Sequence, residues 1–251
     1  MRGGIIPRHR AMAGLAIPRS TIAAAAALGL GGAALMLAAL NPLAELWARF
    51  AEAVLGPLGL AGGVGTLQTR LLGGWVLDTP YYLVEAPEPG PAAWRLVAAI
   101  TATAVLATFL LPARFTPLRY FVRFLALVQG TSLAFFALAP AGSFPYTLSS
   151  YTGGLLGAGQ VVLVLLPVVL AFTFYLFDIR WIQKVGLTLM LLAHLAVLIP
   201  LQVTVHAWLV ARASLVVLPP LFLFFGLLVQ VMVFVAFYGW GMSWRPAGRA
   251  P

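Results

Sequence analysis

Residues 185–212, VGLTLMLLAHLAVLIPLQVTVHAWLVAR, decide the class of fold. The stretch is apolar over more than the ~20 residues a helix needs to cross the ~30 Å hydrocarbon core of a bilayer. It carries His194 near its middle, Pro200 beyond it, and Gln202, His206 and Arg212 towards its exit. Few other hydrophobic segments of the chain hold as much polar chemistry.

Composition extends this reading to the whole chain. Of 251 residues, 62% are hydrophobic and 8% charged, with a mean hydropathy of +1.01. A water-facing surface needs polar groups, and soluble domains carry about 25% charged residues. A lipid-facing surface has no such need. The expected fold is therefore an all-α integral membrane protein. The length allows one membrane domain and no sizeable soluble one.

The net charge is +9. The basic residues lie in short segments between apolar runs, which is the positive-inside pattern and not a nucleic-acid footprint. The partners this implies are the lipid bilayer and other membrane subunits, with no nucleic acid. The chain has no cysteine. That removes disulfides, thiolate metal sites and a cysteine nucleophile.

Residues 1–20 form a basic segment with Arg2, Arg8, Arg10 and Arg19. The Ala/Gly/Leu run 21–40 exceeds the ~7–15 residues of a signal-peptide core, so it is expected to remain as the first span. Its small residues, such as Gly29 and Ala33, suit close helix packing. A loop, 41–93, follows. Asn41-Pro42 looks like a helix start. Leu43, Leu46, Trp47, Phe50, Val54 and Leu55 then recur at helical spacing opposite Glu45, Arg49 and Glu52. This predicts a short amphipathic helix along the interface. Residues 69–77 and 81–86 form a candidate β-hairpin around Asp78-Thr79-Pro80, and Trp75, Tyr81 and Tyr82 suit the headgroup level.

Five more spans complete a six-helix bundle over 94–240: 94–111, 118–139, 155–177, 185–212 and 214–240. Residues 241–251 form a basic tail. With the N-terminus in the cytoplasm, eleven Lys and Arg fall on the cytoplasmic side and four outside. That count predicts a bacterial inner-membrane protein with both termini inside.

A midplane cluster of His194, Gln129, Ser132 and Gln230 is the first candidate site, because a polar or ionisable side chain at that depth is expensive. The same groups would also serve as interhelical hydrogen-bonding glue. An outer group of His206, Gln202 and Arg212 could hold a headgroup, beside the hydroxyl-rich loop that contains Ser143, Tyr146, Thr147, Ser149, Ser150, Tyr151 and Thr152. Gly153 and Gly157 form a G-x-x-x-G packing motif. Arg114, Arg119, Arg123, Asp178, Arg180 and Lys184 are candidates for cytoplasmic docking. His194 and His206 stand twelve residues apart on one helix, so they point about 120° and ~18 Å away from one another and cannot share a haem. No cofactor and no metal site is expected.

The scarcity of catalytic side chains and the small-residue helix faces point to a non-catalytic accessory or structural subunit of a larger envelope complex. Six spans, about 250 residues and both ends inside also broadly resemble export-type ABC permeases. That resemblance is architectural and implies a coupling role for PARFTPLRYFVR, residues 112–123. The 53-residue first outer loop departs from it. A third reading is an enzyme acting on a lipid-linked substrate through a membrane histidine.

Overall fold

Where lipid surrounds a chain, every backbone N–H and C=O must find a partner within the protein, and a helix provides these residue by residue. The computed structural model describes residues 19–60, 62–70, 76–87, 89–174 and 180–244. Its helices are α1 (Arg19–Leu55), α2 (Pro91–Leu110), α3 (Thr116–Leu138), α4 (Leu148–Thr173), α5 (Trp181–Ala213), α6 (Leu218–Phe225) and α7 (Leu227–Ser243). Two strands, β1 (Gly63–Arg70) and β2 (Val76–Leu83), pair antiparallel. A 3-10 turn, Leu215–Val217, precedes α6, and the stretch Leu215–Gly241 counts as one span. Among the described residues, six helical stretches are long and apolar enough to cross a membrane. The chain is a multi-pass membrane protein.

The first span and the expected interfacial helix form one element. α1 runs for 37 residues with Pro42 inside it, so Asn41-Pro42 does not begin a new helix. Its buried side continues through the proline at helical spacing: Ala25, Leu40, Ala44, Trp47, Ala48, Ala51 and Leu55. The apolar side expected to lie along the interface is divided: Trp47 and Leu55 are buried, whereas Leu46, Phe50 and Val54 are exposed. Small side chains around Trp47 permit closer packing than the bulkier face would. At ~1.5 Å per residue, α1 is also far longer than the ~30 Å hydrocarbon core.

The strands sit elsewhere than their sequence pattern indicates. Asp78, Thr79 and Pro80 lie within β2, opposite Gln68, Leu67 and Thr66. The connection between the strands covers 71–75, which lies outside the described residues, as does Trp75. Pro80 lacks an N–H, which a two-stranded ladder tolerates because both strands are edges.

The chain divides into two compact units. The first comprises Met1–Leu40, Gln160–Ala196 and Val233–Pro251; the second comprises Asn41–Gly159 and Val197–Met232. In the first unit the interior is largely leucine: Leu163, Leu166 and Leu170 on α4, and Leu187, Leu191 and Leu195 on α5, each buried. Phe174 and Lys184 are buried with them. α1 lies close against α4 here. A methyl group added at Gly29 would stand 2.8 Å from Ala171 Cβ, and one at Gly32 would stand 2.7 Å from Pro167 Cβ. These glycines are needed for close approach, as the small-residue reading of this run anticipates.

In the second unit Ala51, Leu55, Val84, Leu148, Tyr151, Leu155, Ala207, Val210, Ala211, Leu218 and Leu221 form one buried cluster. α2 is fastened to α3 at two points. The Trp94 indole Nε1 donates to the Leu133 carbonyl at 2.9 Å, and Arg123 Nε donates to Thr108 Oγ1 at 3.0 Å. Tyr82 ties the hairpin back: its hydroxyl accepts from Gly62 N at 2.9 Å and donates to the Leu60 carbonyl at 3.3 Å.

Two boundaries differ from the sequence pattern with consequences for the site. α4 starts at Leu148, so Ser149, Ser150, Tyr151 and Thr152 are helical and not loop residues. The sixth span is interrupted at Gly226 (φ −86°, ψ −129°), whereas Pro219 and Pro220 occupy the first turn of α6, where proline fits.

The α1–α4 contact generates a direct test. Gly29→Leu and Gly32→Leu are each expected to destabilise the protein by about 1–3 kcal/mol through overpacking. Gly31→Leu, whose added group would meet nothing within 4 Å, should be close to neutral. Thermal unfolding of the three variants in one detergent checks this. Equal melting temperatures for all three would contradict the close approach.

Candidate functional site

Of the four expected midplane residues, Gln129 and Ser132 share one partner and Gln230 has another. Gln129 and Ser132, one turn apart on α3, both donate to the Val216 carbonyl, at 2.9 Å and 2.6 Å. Val216 belongs to the turn between α5 and α6 and is fully buried. That turn begins at Ser214, whose φ of 65° and ψ of 179° lie in a region that costs a side-chain-bearing residue on the order of 1–3 kcal/mol. Two donors on one carbonyl of the turn offset part of that strain.

Gln230 pairs with Gln202, and the two serve the break in the sixth span. Gln202 Nε2 donates to the Gly226 carbonyl at 2.7 Å and also to the Phe225 carbonyl. Gln202 Oε1 accepts from Gln230 Nε2 at 3.2 Å. Both glutamines are buried. A methyl group on Gly226 would stand 2.3 Å from the Phe222 carbonyl oxygen, so the break requires glycine. In an apolar medium each unpaired carbonyl at such a break would cost several kcal/mol. Gln202 removes that cost at the Phe225 carbonyl and adds a second donor to the Gly226 carbonyl, which also accepts from Val229 N at 3.2 Å.

His206, Gln202 and Arg212 therefore do not form one outer group. His206 Nδ1 and the Tyr151 hydroxyl share a hydrogen bond of 2.6 Å, and their rings lie nearly parallel at 5.9 Å. Arg212 is exposed, and its guanidinium donates to the Leu58 carbonyl at 3.0 Å, in the turn that follows α1. Tyr151 was legible as a polar residue but not as a partner of His206, because the pairing depends on α4 beginning about two turns earlier than its apolar run.

In the first unit His194 is exposed, with its ring centroid 5.2 Å from that of Phe237. Lys184, read as a docking charge, is instead 4% exposed. Its ammonium donates to the Phe174 carbonyl at 2.5 Å and lies 4.7 Å from the Trp181 ring centroid. A cation at the C-terminal end of α4 meets both the carbonyls and the negative end of the helix dipole. Arg114 and Arg180 are exposed, and Arg114 lies over its neighbour Phe115. Arg123 is engaged with α2 as described above. Arg119 is half-buried. Asp178 lies outside the described residues. Gly153 and Gly157 are both buried; a third glycine, Gly159, faces Ile199, whose Cγ2 would stand 2.9 Å from an added methyl.

The described residues also line concavities. One, of about 20 Å³, is lined by residues including Trp47, Tyr81, Tyr82, Thr152 and Thr204, a volume on the scale of one water molecule. Burial pushes the Tyr81 phenol above its ordinary pKa. A groove of about 300 Å³ in the first unit is lined by α1 and α4 through residues such as Ile22, Leu30 and Phe172, almost all apolar. Another, of about 570 Å³, lies in the second unit among α3, α4 and α6, with Tyr146, Ser150 and Tyr151 among its lining residues. Among the described residues, no three His, Asp or Glu side chains form a group able to hold a metal ion.

Comparison with protein-family models, with curated proteins and with solved structures gave no match. The chemistry must be read from the geometry. Gln129, Ser132, Gln202, Lys184 and Arg212 all donate to backbone carbonyls of their own chain.

A double-mutant cycle tests the assignment of the glutamines. Gln202→Leu is expected to destabilise by about 1–3 kcal/mol, the cost of unpaired buried acceptors. Gln230→Leu should cost less, about 1 kcal/mol, and the double variant less than the sum. Unfolding free energies in mixed micelles would measure the cycle. Additive losses would contradict the coupling of the two side chains.

Proposed function

We propose that this chain is a non-catalytic accessory or structural subunit of a larger membrane complex, held in a bacterial inner membrane with both termini in the cytoplasm. One observation carries the reading. Gln129, Ser132 and Gln202 engage the protein's own backbone, and Gln230 engages Gln202. Polar groups committed in this way stabilise a particular set of helix breaks and turns. They are poorly placed to take up a substrate or a relayed proton.

The distribution of charge supports the orientation, with eleven basic residues on one side and four on the other. The exposed stripe of Leu46, Phe50 and Val54 on α1 offers an apolar face to neighbouring helices. Arg123, within the 112–123 segment that the export-permease alternative uses for coupling, is instead engaged with Thr108 of α2.

The test is the size and composition of the native particle. The tagged chain, expressed at its native level and extracted in a mild detergent, is expected to migrate on native gels well above a monomer. Cross-linking mass spectrometry should identify the same membrane partner at fixed stoichiometry. A stable monomer that loses no partner across several mild detergents would overturn the proposal.

A further inference from the structure

Threonine hydroxyls inside a helix commonly fold back onto the carbonyl one turn earlier. Thr101, Thr152 and Thr188 do so, donating to the carbonyls of Val97, Leu148 and Lys184. Thr204 does not. Its side chain is 4% exposed, and its hydroxyl has no hydrogen-bond partner among the described residues. A buried hydroxyl left unpaired is destabilising. Thr204 lines the cavity of about 20 Å³ in the second unit, and Thr152 of α4 lines it too. Two contacts fix how α4 runs past α5: Tyr151 bonds His206, and Gly159 faces Ile199. The two helices are therefore antiparallel, in a register that brings Thr152 and Thr204 to the same level. Thr152 is 2% exposed. Its hydroxyl proton is committed to the Leu148 carbonyl, with a longer contact to that of Ser149, which leaves its oxygen able to accept.

We infer that this cavity binds a single water molecule that bridges Thr204 of α5 to Thr152 of α4. Volume decides the class of ligand. A cavity of about 20 Å³ exceeds the ~10–15 Å³ that one water needs and is far below the ~300–1,000 Å³ of a small-molecule site. A buried water also needs roughly two to four polar hydrogen bonds. The Thr204 hydroxyl supplies a donor and an acceptor, and Thr152 Oγ1 supplies a second acceptor. A sodium ion is of similar size, but no carboxylate lines the cavity to balance its charge, and a buried charge without a counterion is costly. The bridge ties α4 to α5 beside the Tyr151–His206 bond. Tyr81 and Tyr82 of β2 form part of the same wall, so the hairpin shares the site. A water held here serves the second unit itself and does not depend on the subunit reading.

The sign of one substitution tests the site. Replacing an unpaired buried hydroxyl by a methyl group relieves a penalty, whereas replacing a water-bridged one loses hydrogen bonds. In the full-length protein reconstituted in lipid, Thr204→Val is expected to lower the melting temperature by roughly 2–4 °C. Proton-detected solid-state NMR of the wild type should show magnetisation transfer from water to the residue 204 side chain. Thr204→Ser, which keeps the hydroxyl, should retain that transfer, and Thr204→Val should lose it. Thr188, 2% exposed and bonded to Lys184, should show none. The wild-type and serine spectra decide the matter even if Thr204→Val fails to fold. A melting temperature unchanged or raised by Thr204→Val, or no transfer from water to Thr204 in wild type, would overturn the site. So would a wild-type melting temperature that rises with sodium over choline and loses that rise in Thr204→Val, which would assign the cavity to a cation.

Discussion

The structure depends on one constraint: a carbonyl freed inside an apolar medium must be paired by something else in the chain. A regular helix frees none in its middle. This chain departs from regular helix at Gly226 and at the Ser214–Val217 turn, and at each departure a side chain from elsewhere supplies the missing donors. Gln202 serves Phe225 and reinforces Gly226, whose carbonyl also accepts from Val229 N, while Gln129 and Ser132 serve Val216. In the first unit Lys184 does the same for the Phe174 carbonyl at the end of α4. The scarcity of polar residues thereby becomes informative, since so many of the few present have a backbone partner that can be named.

This gives the membrane glutamines a meaning different from the usual default for a polar group at depth. Such a group is commonly a functional candidate. Here the alternative role is explicit and local. A glutamine beside a glycine break provides two donors and an acceptor, enough to pair two carbonyls and a second glutamine. Gln202 and Gln230 act as a unit because of the break, and the break is possible because residue 226 has no side chain to collide with Phe222.

The membrane class and the six spans were legible in composition and in run length, since an 8% charged chain cannot clothe itself for water. The helix ends were less legible. Ser149, Ser150, Tyr151 and Thr152 look like loop because they are polar, yet backbone pairing, not polarity, decides where α4 starts. Pro42 looks like a helix start because proline favours the first turn, yet the buried side of α1 continues through it. The polar partnerships were the least legible. Sequence depth groups His194 with Gln129 and Gln230, and His206 with Gln202 and Arg212. The actual partners depend on azimuth and on where carbonyls are freed. Gly226, lying beside Gln230 in sequence, was the available signal for the break, and its meaning emerges only with Gln202 in place.

The pairing at the Gly226 break is the point on which this account turns, and isotope-edited infrared spectroscopy reads it directly. A single 13C=18O label at the Phe225 carbonyl, which Gln202 pairs, in protein reconstituted in lipid, isolates that amide I band. The band is expected at the lower frequency of a strongly hydrogen-bonded carbonyl in wild type, and should move to higher frequency when Gln202 is replaced by Leu. A band already at the frequency of a free carbonyl in wild type, or one unmoved by the replacement, would contradict the claim that Gln202 supports the broken span.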